Sequence, residues 1–133
     1  MQLAKERKSK YVSAVRSLMH QMGHATNFEL LESLRSEYPD LSATTVHRVT
    51  ARLHERGELQ LAPTGRENVL RYDANPLPHD HFMCSLCGLL RDANLGPIIR
   101  PQIEQAIGDG CSIAGNLTVS GICKQCHKEG KDL

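Results

Sequence analysis

Apolar positions recur at helical spacing through the first third of the chain and give way afterwards to short alternating runs. Residues 9–22 place Val12, Val15, Leu18, Met19 and Met22 on one face of a helix, with Gly23 suited to end it. Asn27 is a candidate cap for a second helix, whose inner face is Leu30, Leu31 and Leu34 before the break at Tyr38, Pro39 and Asp40. A third helix starts from Ser42 as N-cap, buries Val46, Val49 and Leu53, and is closed by Gly57. Residues 58–61 and 69–72, joined by a turn containing Gly65, have the composition of a short hairpin.

This order spells a helix-turn-helix followed by a two-stranded wing. With Val46, Val49 and Leu53 inward, the residues Thr44, Thr45, His47, Arg48, Ala51 and Arg52 project outward from the third helix. Such a helix can enter a major groove, where arginine reads guanine edges and threonine meets phosphate or a thymine methyl. Arg66 falls at the wing tip, suited to a minor groove or a phosphate. A three-helix bundle with a solvated charged face satisfies the same spacing, so periodicity alone does not choose between them.

In the second half, residues 82–84 and 88–91 read as short strands, 97–107 as a helix with Ile98, Ile99 and Ile103 on one face, and 112–120 as a strand carrying Leu117 and Val119. The charged tail over 127–133 is expected to be disordered. A domain of about 50 residues buries such faces poorly by itself, and pairing with a second chain is one solution. Packing within the protomer is another. The formal net charge is only +1, but residues 1–72 hold 11 Lys/Arg against 8 Asp/Glu and residues 73–133 hold 5 against 7. That asymmetry permits nucleic-acid contact in the first half without demonstrating it. No apolar run approaches the ~20 residues needed to span a membrane, and no secretory leader is recognisable, so a cytoplasmic protein is expected.

Cys84, Cys87, Cys123 and Cys126 form two CxxC pairs. Each pair can approach one ion from a single turn, and together they complete the tetrahedral S4 set of a structural zinc site. A disulfide framework is unneeded in a chain with 40% hydrophobic residues. A redox site needs one CxxC near a βαβ pattern; here Gly88 follows one pair and Gly121 precedes the other. Cys111, in an apolar stretch, is expected to be a small core residue.

The junction over 72–81, YDANPLPHDH, contains two prolines that favour an extended segment. There His79 and His81 point the same way, and Asp73 and Asp92 lie close enough in sequence to join them. Imidazole nitrogens with carboxylate oxygens make a more labile site than four thiolates, able to hold Fe(II), Mn(II) or Zn(II).

SATTVHR at 42–48, HDHFMCSLCG at 79–88 and GICKQC at 121–126 resemble, in that order and spacing, the ferric uptake regulator superfamily of bacterial metal-dependent repressors, over residues 9–127. The resemblance implies an α+β chain: a winged-helix DNA-binding domain at 1–72, a hinge at 73–80, and a small α/β dimerisation domain at 81–133 stapled by zinc. It implies a homodimer on palindromic double-stranded DNA, no enzymatic activity, and a regulatory Fe(II), Mn(II) or Zn(II) ion held by His24, Asp73, His79, His81 and Asp92. DNA contacts would come from Thr44, Thr45, His47, Arg48, Arg52 and Arg66. Asp92 matches an aspartate of peroxide-sensing members, and Asp73 stands where zinc-sensing members often carry cysteine. Both favour a peroxide-sensing site, in which iron promotes oxidation of the histidines matching His24 and His79. An iron- or zinc-uptake regulator without peroxide chemistry is the alternative.

Three departures from the family pattern are visible. His47 replaces a tyrosine before the arginine of the recognition helix, which puts base preference in doubt. Pro78, Ile99 and Gly115 stand where many members have ligands of a further metal site, leaving only Asp80, so that site is expected to be missing. The N-terminus is short, leaving Lys5, Arg7, Lys8 and Lys10 to reach phosphates. Two other classes fit parts of the pattern: a zinc or thiol enzyme, which would need a general base beside a three-ligand open site, and a zinc-ribbon interaction module.

Overall fold

The first helical pattern forms α1, Gln2–Met22, which begins well before the expected residue 9 and stops at Gly23. The structure is a computed structural model that describes residues 2–65 and 67–132, with residues 2–9 described as backbone only. It divides into two units, Met1–Thr64 with Asn68–Pro76, and Gly65–Glu67 with Leu77–Leu133.

In the first unit a strand unforeseen in the sequence, β1 (His24–Thr26), follows α1 directly. Three residues are too few to show a period-two pattern. Thr26, and not Asn27, then caps α2 (Asn27–Leu34): its hydroxyl accepts from the Glu29 N–H at 3.1 Å, and the Glu29 carboxylate accepts from the Thr26 N–H at 2.9 Å. α3 (Ala43–Glu55) starts where Ser42 predicts, with the Thr45 N–H donating to the Ser42 hydroxyl at 3.1 Å. Val15, Met19, Leu30, Leu31, Val46, Val49 and Leu53 make one core, with Tyr72 buried at its edge. The wing strands are shorter than expected and lie further along the chain, β2 (Gln60–Ala62) and β3 (Arg71–Asp73), and β3 pairs on both sides in the order β1-β3-β2. Together these elements are a winged helix-turn-helix.

In the second unit β4 (Asp80–Cys84) is the central strand, antiparallel to β5 (Leu90–Ala93) and parallel to β6 (Thr118–Gly121). Between them lies α4 (Gly96–Ile107), opened by Pro97. The expected apolar face of α4 is only partly covered: none of its residues is buried, Ile99 and Ile103 are half-buried, and Ile98 is 70% exposed. The strand expected over 112–120 is confined to its end, since Gly115 takes a positive φ and interrupts extended backbone. Cys111 lies in that irregular stretch and is exposed, contrary to the core position expected of it. Over 127–132, the described part of the tail expected to be disordered, the chain is ordered: α5 (Lys124–Lys128) continues from Cys123, and the Lys131 N–H donates to the Cys126 carbonyl at 3.1 Å; Leu133 lies outside the described residues. No described helix is long and apolar enough to cross a membrane.

Candidate metal centres and nucleic-acid interface

The two CxxC pairs converge. Cys84 ends β4, Cys87 sits in the turn before β5, Cys123 caps α5 and Cys126 lies within it. The Sγ atoms of Cys84 and Cys126 are 3.7 Å apart, as are those of Cys87 and Cys123. A tetrahedron with Zn–S bonds of 2.3 Å has edges of about 3.8 Å, so the thiols already stand at the separation zinc requires. The Cys84 sulfur also accepts backbone N–H groups of Cys87 (3.5 Å) and Cys123 (3.4 Å), an arrangement that favours thiolate. These bonds, the Cys87 N–H foremost, bring the Cys84 thiol down to about 6 against the effect of burial. Burial first, then the neighbouring thiols, pushes Cys126 up to about 12. Both flanking glycines have reasons. Gly88 closes the turn onto the Cys84 carbonyl at φ +81°, and a Cβ at Gly121 would come within 3.1 Å of the Phe82 ring. The donor set fits a closed zinc site.

The His and Asp candidates form two groups, one in each unit. In the first, the β1–β3 register sets His24 opposite Asp73, with Nε2 to Oδ2 at 3.4 Å. Asp73 is buried, and its Oδ1 accepts the Asn75 N–H at 2.9 Å. In the second, the β4–β5 register sets His81 opposite Asp92, and the Nε2 atoms of His79 and His81 each lie 3.3 Å from Asp92 Oδ1. The His79 Nδ1 is 2.6 Å from the Leu77 carbonyl. A carbonyl can only accept, so Nδ1 carries the proton and Nε2 is left as the lone-pair donor. Ligand atoms about 2.1 Å from an ion at tetrahedral angles lie about 3.4 Å apart, so both groups have ligand-like separations.

On α3, Thr44, His47, Arg48 and Arg52 are exposed, while Thr45 is half-buried with its hydroxyl 3.0 Å from that of Ser42. Arg66 lies outside the described residues. A cleft of about 430 Å³ between α1 and α3 borders this face, lined in part by Tyr11, Val12, Arg48 and Arg52. Asn27, expected to cap α2, instead reaches across to α3: its side chain meets the Thr50 hydroxyl at 2.8 Å and His47 Nδ1 at 3.4 Å. His47 is therefore tied to the start of α2. Sequence reasoning also missed Arg100, whose guanidinium meets Asp80 at 2.7 Å. No motif marks it.

A winged helix-turn-helix unit, joined to an α/β unit closed by four thiolates and carrying His/Asp donors, defines a class of metal-binding winged-helix proteins. The ferric uptake regulator family profile matches residues 2–117, and the chain belongs to that family. It is 25% identical over 117 residues, 87% of this chain and 77% of the relative, to the peroxide-responsive repressor PerR of Staphylococcus epidermidis. Among solved structures it resembles the Helicobacter pylori ferric uptake regulator Fur, with a TM-score of 0.71 and 23% identity over 89% of this chain and 80% of that one. The Campylobacter jejuni peroxide stress regulator aligns with a TM-score of 0.68 and 22% identity, covering 94% and 97% of the two chains.

Proposed function

We propose that this chain is a metal-dependent, DNA-binding transcriptional repressor that works as a homodimer on palindromic DNA and senses peroxide through an iron ion. The regulatory ligands are His24, Asp73, His79, His81 and Asp92, and the contacts to DNA come from Thr44, Thr45, His47, Arg48, Arg52 and Arg66. The observation that carries this reading is the strand register: it pairs His24 with Asp73, and His81 with Asp92 beside His79, in a chain whose zinc-type thiolates are separate. Three imidazoles and two carboxylates suit Fe(II), Mn(II) or Zn(II) and not a closed structural role. A regulatory ion shifts DNA affinity only through its different affinity for the DNA-binding and non-binding states. A coupling of about 1–3 kcal/mol changes DNA affinity roughly 5- to 150-fold.

Iron at this site supplies the one-electron chemistry that activates hydrogen peroxide. In the net change an imidazole gains one oxygen and the peroxide leaves as water. The chain's part is to hold His24 and His79 where they are oxidised and to lose the regulatory site once they are. The test is anaerobic purification, loading with Fe(II) or Mn(II), exposure to peroxide, and measurement of operator affinity with the masses of peptides containing His24 and His79. Loss of binding with a one-oxygen gain only in the iron form supports peroxide sensing. Unchanged masses, with binding that follows metal concentration, make the protein a metal-uptake regulator instead. Alanine at His79 or His81 abolishes metal-dependent DNA binding and leaves the dimer folded; unchanged metal dependence rejects the site.

A further inference from the structure

Asp80 separates His79 from His81 and faces away from both. While the two imidazoles share Asp92, Asp80 is buried and its Oδ1 accepts two bonds, from Arg100 Nη2 at 2.7 Å and from the Leu117 N–H at 2.9 Å. The same Arg100 nitrogen donates to the Gly115 carbonyl at 2.8 Å. One guanidinium on α4 thus ties β4 to the segment that leads into β6. A second charged side chain, Glu104, accepts the Ile113 N–H at 2.7 Å. With no buried residue of its own, α4 is joined to the sheet through these polar anchors.

A strand has little freedom except rotation about its axis and slippage along its neighbours, and side chains alternate about that axis. Fixing Asp80 on one face of β4 therefore fixes the direction of His81 on the other face, and of His79, the residue just before the strand. We propose that Arg100 is a positioning residue for the metal held by His79 and His81: through Asp80 it sets the rotation of β4 and so the aim of both imidazoles. The inference rests on the regulatory-site reading given above. Without Arg100, a buried carboxylate keeps the Leu117 N–H but loses its charged partner, and turning toward water to regain solvation carries β4 with it. Partners that orient metal ligands from outside the ligand shell typically contribute ~10- to 100-fold to metal affinity. Because α4 holds the guanidinium, whatever displaces α4 also weakens the HxH pair.

The experiment uses the full chain with zinc retained in the cysteine site, titrated with Co(II) and followed by visible absorption and competition with a chelator. Arg100→Gln is expected to bind Co(II) roughly 10- to 100-fold more weakly, with an altered d–d band, while zinc content stays as in the parent. Arg100→Lys falls between, since an ammonium restores the charge at Asp80 but not the guanidinium's fork. His81→Ala serves as the reference and loses the band. If His81→Ala still binds Co(II) with parental affinity, the regulatory-site reading fails and this proposal with it. If His81→Ala loses the site but Arg100→Gln keeps parental affinity and spectrum, Arg100's role alone is overturned. Should Arg100→Gln fail to retain its zinc, the isosteric Asp80→Asn carries the test with the same two outcomes.

Discussion

Cysteine protonation is where single residues have the most measurable consequence. At neutral pH the Cys84 thiol, lowered to about 6, is largely ionised, whereas Cys126, raised to about 12, is not. Cys87 is also raised, because burial and the Cys84 and Cys123 thiols outweigh the Leu89 N–H that lowers it. Zinc binds thiolate, so its entry displaces at least the protons of Cys87 and Cys126. Apparent zinc affinity should therefore fall as pH falls, by roughly 100-fold per unit or more, as competition from at least two protons requires. Chelator competition between pH 6.5 and about 8 measures that slope, and a flat profile would contradict the assignment. These four residues were legible because a CxxC spacing is meaningful before any fold is known. His24 and Arg100 were not legible from spacing, since each meets its partner only through a strand pairing or a helix placement distant in sequence.

Thr26 shows how much one element boundary can carry. It is the last residue of β1, opposite Arg71, and at once the N-cap of α2 with both bonds of a capping box. Cap loss typically costs ~1 kcal/mol, so Thr26→Ala should lower the melting temperature of the first unit by about 4–8 °C. The same change loosens the strand that holds His24 against Asp73, so regulatory-metal affinity should fall as well. Differential scanning calorimetry and Co(II) titration of one variant test both, and a melting loss without an affinity loss would separate the cap from the strand. Helical elements were read well because α1, α2 and α3 bury a continuous stripe. Strands of three residues were read poorly, having too few alternations to register. α4 shows a further limit: its apolar spacing was visible, but spacing cannot say whether a face is covered within the chain.

Apolar burial is divided unequally across the molecule. The first unit has a packed core from Val15 and Met19 through Leu30, Val46 and Leu53 to Tyr72. In the second, among the described residues, the buried cluster is Cys84, Cys123 and Cys126 with Phe82, Leu86 and Ile122 against it, and Leu90 is the one other buried apolar side chain. Ile98 (70% exposed), Ile107 (59%) and Val119 (47%) stay largely outside the core of the chain. Structural zinc contributes ~10–16 kcal/mol in small domains, as much as the whole stability of a typical fold. Here the metal-site residues are the core, so the second unit should depend on zinc and the first should not. Removing zinc with a strong chelator under reducing conditions is expected to abolish hydrogen-exchange protection in peptides spanning β4, β6 and α5. Peptides from α1 and α3 should keep theirs. If Ile98, Ile107 and Val119 are covered by a second copy, sedimentation should show the dimer dissociating in the same chelator range, because the strand and helix that present them lose their support together. Protection that survives in β4 and α5 after zinc is gone would mean that the second unit draws its stability from another source, and the thiolate cluster would then be a bound-metal site on an independently folded sheet.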